Sequence, residues 1–270
     1  MVEYGRVVSA RVLIVVPTLG RRLRLLEQTL ESITSQRVAA DVVIVGPPDQ
    51  RGIRDLAERF EAILMADPGS QPAAINAGVS IAQPHHEFVN WLGDDDLLTP
   101  GSLRDTTQVL DAHPDAVLAY GACQYITEDG ALLWTNKAGS WAPRMLSWGP
   151  DLIPQPGMLI RTSAWHAVGG VDESLRFAFD LDLLLSLRSQ GDLVCTGSTV
   201  SCFRWHPDSL TVSDRTTSLN ESRDVKRRYL SPRARRWAWT WEGPVRLATR
   251  VAARGVVTRA QRASAPKTAG

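Results

Sequence analysis

The 270 residues carry a formal net charge of +1 and are 44% hydrophobic and 22% charged, the balance of a folded chain with a sizeable core rather than of a disordered or fibrous one. No run approaches the roughly 20 apolar residues of a membrane span, the opening MVEYGRVVSARVLIVVP lacks a signal-peptide cleavage pattern, and Cys123, Cys195 and Cys202 show neither metal-ligand nor redox spacing. A membrane-spanning helix and a disulfide scaffold are set aside, and cytoplasmic residence with reduced thiols is expected.

Residues 12 to 17, VLIVVP, form a continuous apolar, β-branched run, which predicts a strand buried on both faces of a parallel sheet. Leu23, Leu26, Leu30 and Ile33 recur at helical spacing, and a second short apolar run covers Val42 to Val45. A helix from Arg51 to Phe60, a strand over Ala62 to Met65, a helix around Pro72 to Ala82 and a strand over Glu87 to Leu92 continue the alternation. A helix over Ser102 to Leu110 and a strand over Ala116 to Tyr120 follow. The pattern predicts an α/β domain with a mostly parallel central sheet and flanking helices. Beyond Tyr120 it becomes irregular, with a hairpin turn expected at Glu128-Asp129-Gly130 and a Trp- and Pro-rich stretch through Pro156. Loops of that kind shape acceptor sites. The last ordered-looking motif is RWHPDSLT, Arg204 to Thr211.

The stretch FVNWLGDDDLLTP, Phe88 to Pro100, puts three consecutive carboxylates at the end of an apolar run. Three adjacent negative charges repel one another unless a cation sits among them, and hard carboxylate oxygens without Cys or an H-x-x-H pattern favour Mg²⁺ or Mn²⁺ shared with a phosphate ligand. The alternative is an acidic loop before a helix capped by Asp96 or Thr99, with Pro100 at its first position. In open α/β sheets ligands collect outside the carboxyl ends of the strands, where both Pro17-Thr18 and Asp94 to Asp96 are expected to lie.

Four segments together resemble family-2 glycosyltransferases with the A-type, nucleotide-sugar-binding α/β fold: VLIVVPTLGRRLRLLEQTLESI, DPGSQPAAINAGVSIAQPHHEFVNWLGDDDLLTPGSL, GGVDESLRFAFDLDLLLSL and RWHPDSLT. The resemblance implies an inverting, metal-dependent transfer of sugar from a nucleoside-diphosphate donor to a hydroxyl of a glycan or lipid-linked acceptor, in a polysaccharide or envelope setting. It implies donor contacts from Pro17, Thr18, Asp49, Asn76 and Asp94. It also implies Mg²⁺ or Mn²⁺ held by Asp95, with Asp96 and His206 in the shell, and Asp180 as the base that deprotonates the acceptor. Gly93 stands where the family often has its first Asp, Gly46-Pro47-Pro48-Asp49 replaces a frequent Asp-Asp-Gly-Ser, and Ile75 replaces an Arg. The local alternative for Asp180 is a helix N-cap ahead of Leu183, Leu184 and Leu187, with Asp182 in support. His206 also reads as a surface residue before Pro207. Trp134, Trp141 and Trp148 are candidates for stacking on sugar. Rival activities are nucleotidyl transfer and non-catalytic sugar or nucleotide binding.

The near-zero charge hides an asymmetry. From Arg223 onward 13 Lys and Arg face Asp224 and Glu242, a net +11, which leaves −10 for residues 1–222. The expected division is therefore a catalytic domain over 1–222, with a donor half over about 11–120 and an acceptor half over about 121–222, followed by a basic tail over 223–270. In that tail Arg233, Arg235 and Arg236 precede Trp237, Trp239 and Trp241, and Arg246, Arg250, Arg254, Arg259 and Arg262 recur at three- to five-residue spacing. Such a helix is suited to an anionic membrane surface; the acidic remainder argues against nucleic acid.

Overall fold

The computed structural model describes residues 10–137, 139–205 and 215–245. Strand β1 (Val12–Pro17) is flanked by β2 (Ala40–Gly46) and β4 (Phe88–Trp91), with β3 (Ile63–Ala66) outside β2, and all of these pairings are parallel. The continuous apolar run of β1 has the burial its sequence predicts. Leu13 and Val15 enter one core cluster and Val12, Ile14 and Val16 enter the other, because successive side chains of a strand point to opposite faces.

Three helices cover the second face: α1 (Leu23–Thr34), α2 (Arg51–Arg59) and α4 (Ser102–Ala112). The first face carries α3 (Gln71–Val79), α5 (Ala142–Met145), α6 (Thr162–Val168) and α7 (Phe179–Leu187). The sheet continues as β3-β2-β1-β4-β8-β6-β9-β5, with β7 beside β6. Here β5 is Leu97–Leu98, β6 Ala116–Ile126, β7 Leu132–Asn136, β8 Leu159–Arg161 and β9 Asp192–Arg204. Past β4 the pairing becomes mixed, because β8 runs antiparallel to both β4 and β6 while β9 runs parallel to β6. The hairpin expected at Glu128 to Gly130 joins β6 to β7, with Gly130 at φ 90°.

Two further helices, Arg215–Tyr229 and Pro232–Trp237, follow. The first runs without a break across residues 222 and 223, and its Val225 is fully buried in the core that contains α7.

Gly78 sets how closely α3 lies on the sheet, since a Cβ there would stand 2.4 Å from Val15 Cγ1 and 2.7 Å from Val15 Cγ2. Gly78→Ala should lower stability by about 1–3 kcal/mol through overpacking. The reading is the urea midpoint, and a midpoint at or above the parent's would show that α3 can lift from β1 without cost.

Candidate active site

The ends of β1, β2 and β4 converge on the acidic turn. Thr18 is buried, its Oγ1 donates to Asp94 Oδ2 at 2.6 Å and accepts from Gly20 N at 2.9 Å, and its own N–H donates to Val45 O. Gly46 has no room for a side chain, because a Cβ would lie 2.8 Å from the Thr18 carbonyl oxygen. The departure Gly46-Pro47-Pro48-Asp49 thus begins with a residue that the closeness of β1 and β2 requires. Asp49 is exposed on the turn beyond it, at the same end of the sheet as Pro17.

Each of the three consecutive carboxylates has a different partner. Asp94 is bonded by Thr18, Asp95 Oδ2 pairs with Arg22 at 2.8 Å, and Asp96 Oδ1 accepts the backbone N–H of Arg204 at 3.1 Å. The turn closes through Asp96 N donating to Gly93 O at 3.1 Å. A Cβ on Gly93 would approach Asp96 Oδ2 to 2.9 Å, so a side chain there would require the Asp96 carboxylate to shift. Burial, then the charge of Asp95, pushes the Asp96 carboxyl well above the ordinary carboxylate range, against the pull of the Arg204 N–H. Asp94 and Asp95 are only half-buried. The repulsion that the sequence suggested a cation must relieve is met here by Arg22 and Arg204. Neither Asp96 nor Thr99 caps α4: its N-cap is Gly101, and Thr99 Oγ1 donates to Thr199 O.

Arg204, missed by the sequence reading as more than part of a motif, is buried beneath this turn. Its Nε donates to Asp95 O at 2.9 Å, one terminal nitrogen to Gln28 Oε1 at 2.9 Å and the other to Glu128 O. His206 lies outside the described residues.

Asp180 lies in the first turn of α7, whose N-cap is Ala178, so the capping alternative does not hold. Its Oδ1 accepts the N–H of Leu181 at 2.7 Å. Burial, reinforced by the charge of Glu221, raises its carboxyl to about 6 despite backbone N–H bonds that oppose the shift. Asp182 accepts from the Tyr229 hydroxyl at 3.1 Å and supports the helix Arg215–Tyr229. Asp151, which the sequence reading did not single out, has its carboxyl pushed above the ordinary range by desolvation, then by the charge of Asp180. Burial, then the charges of Cys123, Asp151 and Asp96, raises the Tyr125 hydroxyl. Packing joins the strand that ends in the acidic turn to the helix that carries Asp180, with the Trp91 and Phe179 ring centroids 6.2 Å apart and Gln155 Nε2 donating to Trp91 O at 2.8 Å.

Asn76 serves as a brace between the halves. Its Nδ2 donates to Val171 O and Glu173 Oε1, both at 2.9 Å, while its Oδ1 accepts Val171 N at 3.0 Å. Trp134 stacks on Tyr125 at 3.9 Å between centroids, whereas Trp141 and Trp148 are about half exposed, at 50% and 48%.

A second grouping, Asp41, His85 and His86, brings three ligand atoms within 4.8 Å of one another. Asp41 stands near the start of β2, at the opposite end of the strands from the acidic turn. His86 Nδ1 accepts the Gln83 N–H at 2.8 Å, so Nε2 carries the proton and donates to Asp41 Oδ2 at 2.8 Å. A neutral imidazole bonded in this way has no lone pair for a metal. The grouping is a hydrogen-bonded strap.

The sequence pattern of the family described as "Glycosyltransferase like family 2" matches residues 10–224. The chain is 30% identical over 181 residues to an uncharacterized protein, y4gI, of Sinorhizobium fredii, covering 64% of this chain and 20% of that protein. It is 26% identical over 176 residues to the O-antigen biosynthesis protein RfbC of Myxococcus xanthus, covering 60% and 13%. It thus spans a minor part of the length of these relatives. Among solved structures it superposes with a TM-score of 0.60 on S. aureus TarS 1–349 in complex with UDP-GlcNAc, at 15% identity over 81% of this chain and 65% of that one. The TM-score is 0.61 with the mannosyltransferase PcManGT from Pyrobaculum calidifontis in complex with GDP-Man and Mn²⁺, at 16% identity over 96% and 76%. At these identities the likeness is one of fold, and it is the A-type fold expected from the sequence.

A carboxyl raised in the folded state costs stability as pH climbs from the ordinary 3.8 to about 6. Asp180→Asn cannot ionise, so it should melt above the parent at about pH 7, with the advantage shrinking to nothing near about pH 4. Melting curves across that range check the sign, and a difference independent of pH would show that the carboxyl is not raised.

Proposed function

This chain belongs to glycosyltransferase-like family 2, and we propose that it transfers a sugar from a nucleoside-diphosphate donor to a hydroxyl of a glycan or lipid-linked acceptor, with inversion. The observation that carries this reading is an acidic turn, Asp94 to Asp96, at the carboxyl end of β4, with Asp180 in the first turn of a helix whose Phe179 packs on Trp91 of that strand; burial raises the Asp180 carboxyl to about 6. A general base works best when its pKa lies near the working pH. As the acceptor oxygen bonds to the anomeric carbon, the bond to the diphosphate breaks and the acceptor proton passes to Asp180. A single displacement of this kind inverts the centre.

The turn fits Mg²⁺ or Mn²⁺, because Asp94 and Asp95 are half-buried hard ligands, and such ions take one or two carboxylates and complete their shell with phosphate and water. Asp95 is the proposed ligand. Asp96, expected among the ligands, braces the turn from its buried position against Arg204 N. A bound divalent ion would neutralise charge growing on the leaving diphosphate. Arg22, now paired with Asp95, is a second cation for that diphosphate. Pro17, Thr18 and Asp49 line the nucleotide end of the proposed donor site, and Asn76 acts on it through the brace to Val171.

The test uses UDP- and GDP-sugars with and without a chelator. Asp180→Asn should bind donor as the parent does and lose transfer by about 10²-fold or more, while chelation abolishes parental turnover. Parental transfer by the variant removes Asp180 as the base. Undiminished turnover under chelation removes the metal.

We also propose that the basic segment attaches the enzyme to an anionic membrane surface, within reach of a lipid-linked acceptor. Its support is the exposure of Arg233, Arg235 and Arg236 beside Trp237 and Trp239, which are 63% and 69% exposed. The basic residues from Arg246 to Arg262 lie outside the described residues. Each basic side chain near such a surface is worth about 1 kcal/mol. A chain ending at Leu230 keeps the packed helix Arg215–Tyr229 and should lose sedimentation with anionic vesicles. Equal sedimentation of the truncated and full chains would put any attachment elsewhere.

A further inference from the structure

The start of an α-helix leaves its first N–H groups without intrahelical partners, and a local Ser, Thr, Asp or Asn normally takes one of them. At α7 the N-cap is Ala178, which has no side-chain oxygen to offer. Asp180 Oδ1 takes the N–H of Leu181, and Glu221, far along the chain, holds the amides that lead into the helix. Its Oε1 accepts the N–H of Arg176 at 2.9 Å, and its Oε2 accepts those of Phe177 at 2.5 Å and Ala178 at 2.7 Å. One carboxylate thus gathers three consecutive amides immediately before the turn that carries Asp180, and its charge suits a helix N-terminus.

The helix bearing Glu221 is itself fixed at several points. Lys226 Nζ donates to Gly149 O at 2.5 Å, Arg228 pairs with Asp172 at 2.9 Å, and the Tyr229 hydroxyl meets Ser186 Oγ at 2.6 Å and Asp182 Oδ1 at 3.1 Å. These contacts fall on both sides of Asp180, on the loop before β8 and on α7.

We propose that Glu221 is a positioning residue for the acceptor side of the site, setting the place of Asp180 by holding the three amides that launch α7. This inference rests on the reading of Asp180 as the base. Glu221 also has an electrostatic effect, since its charge helps to raise the Asp180 carboxyl. The other charged or titratable groups on the elements packed around Asp180 are Asp151 with Lys226 beside it, Asp182 and Asp172 with Arg228, and Tyr229.

Glu221→Gln and Glu221→Asp separate position from charge. Glu221→Gln should lower kcat about tenfold or more, leave donor affinity at the parental value, speed amide exchange at residues 176–178, and move the acidic limb of the pH profile below its parental position near about 6. Glu221→Asp keeps the charge but shortens the reach, so it should lower kcat with the acidic limb unmoved. If Glu221→Gln does not fold, the result for Glu221→Asp decides alone. Parental kcat and acidic limb in folded variants, alongside an inactive Asp180→Asn, would overturn the inference while leaving the base intact. An active Asp180→Asn would instead remove the base reading. Loss of donor binding in either Glu221 variant would mark a general folding contact and overturn the positioning role.

Discussion

A guanidinium with almost no access to water lies beneath three consecutive aspartates, and the turn that carries them depends on it. Arg204 binds the Asp95 carbonyl, the Gln28 side chain and the Glu128 carbonyl through its guanidinium, while its backbone N–H meets Asp96 Oδ1. Removing two such charges from water costs several kcal/mol per ion, and the cost is offset only where geometry and hydrogen bonds are good. Here α1, the acidic turn and the β6–β7 hairpin all contribute. Burial lowers the guanidinium pKa and raises that of Asp96, and the charges of the aspartates oppose the first shift.

Strand pairing brings this arrangement about. The long parallel ladder of β9 along β6 carries Arg204 to the level of Ile126, and β5, two residues long, pairs antiparallel with Ser201 and Cys202. The chain leaving the acidic turn is therefore tied to the strand that delivers Arg204. α1 holds the other side, with Thr29 Oγ1 donating to Asp96 O and Ser32 Oγ accepting Leu98 N. A turn gripped this way can keep its carboxylates apart without collapsing, and it leaves Asp94 and Asp95 partly accessible.

The surroundings of Asp180 are organised by a different principle. The loop before α7 takes its place from a C-terminal helix, through Glu221, and the same helix reaches Gly149 next to Asp151. Raising Asp180 and Asp151 costs the folded state stability, and such costs are common at sites that need a carboxyl titrating near neutrality. The packed core containing Leu184, Leu187 and Val225 sustains the arrangement.

The first part of the sheet was legible because its signals are local. A strand buried on both faces must read as a continuous apolar run, and VLIVVP does; an amphipathic helix must repeat its apolar residues at helical spacing, as α1 does. The acidic turn was legible as three adjacent carboxylates. The strands β5 and β8 are two and three residues long, too short for any periodicity. The segment DLVCTGSTVSCFR mixes Ser and Thr among its apolar residues and becomes β9 through its pairing with β6. Those pairings, the grip of Arg204 on Asp95 across 109 positions and that of Glu221 on the amides before α7 follow no local rule. Local periodicity determined the elements, because side-chain direction within a helix or strand repeats over a few residues. Tertiary structure alone decided which charge meets which, because that depends on how distant segments are brought together in space.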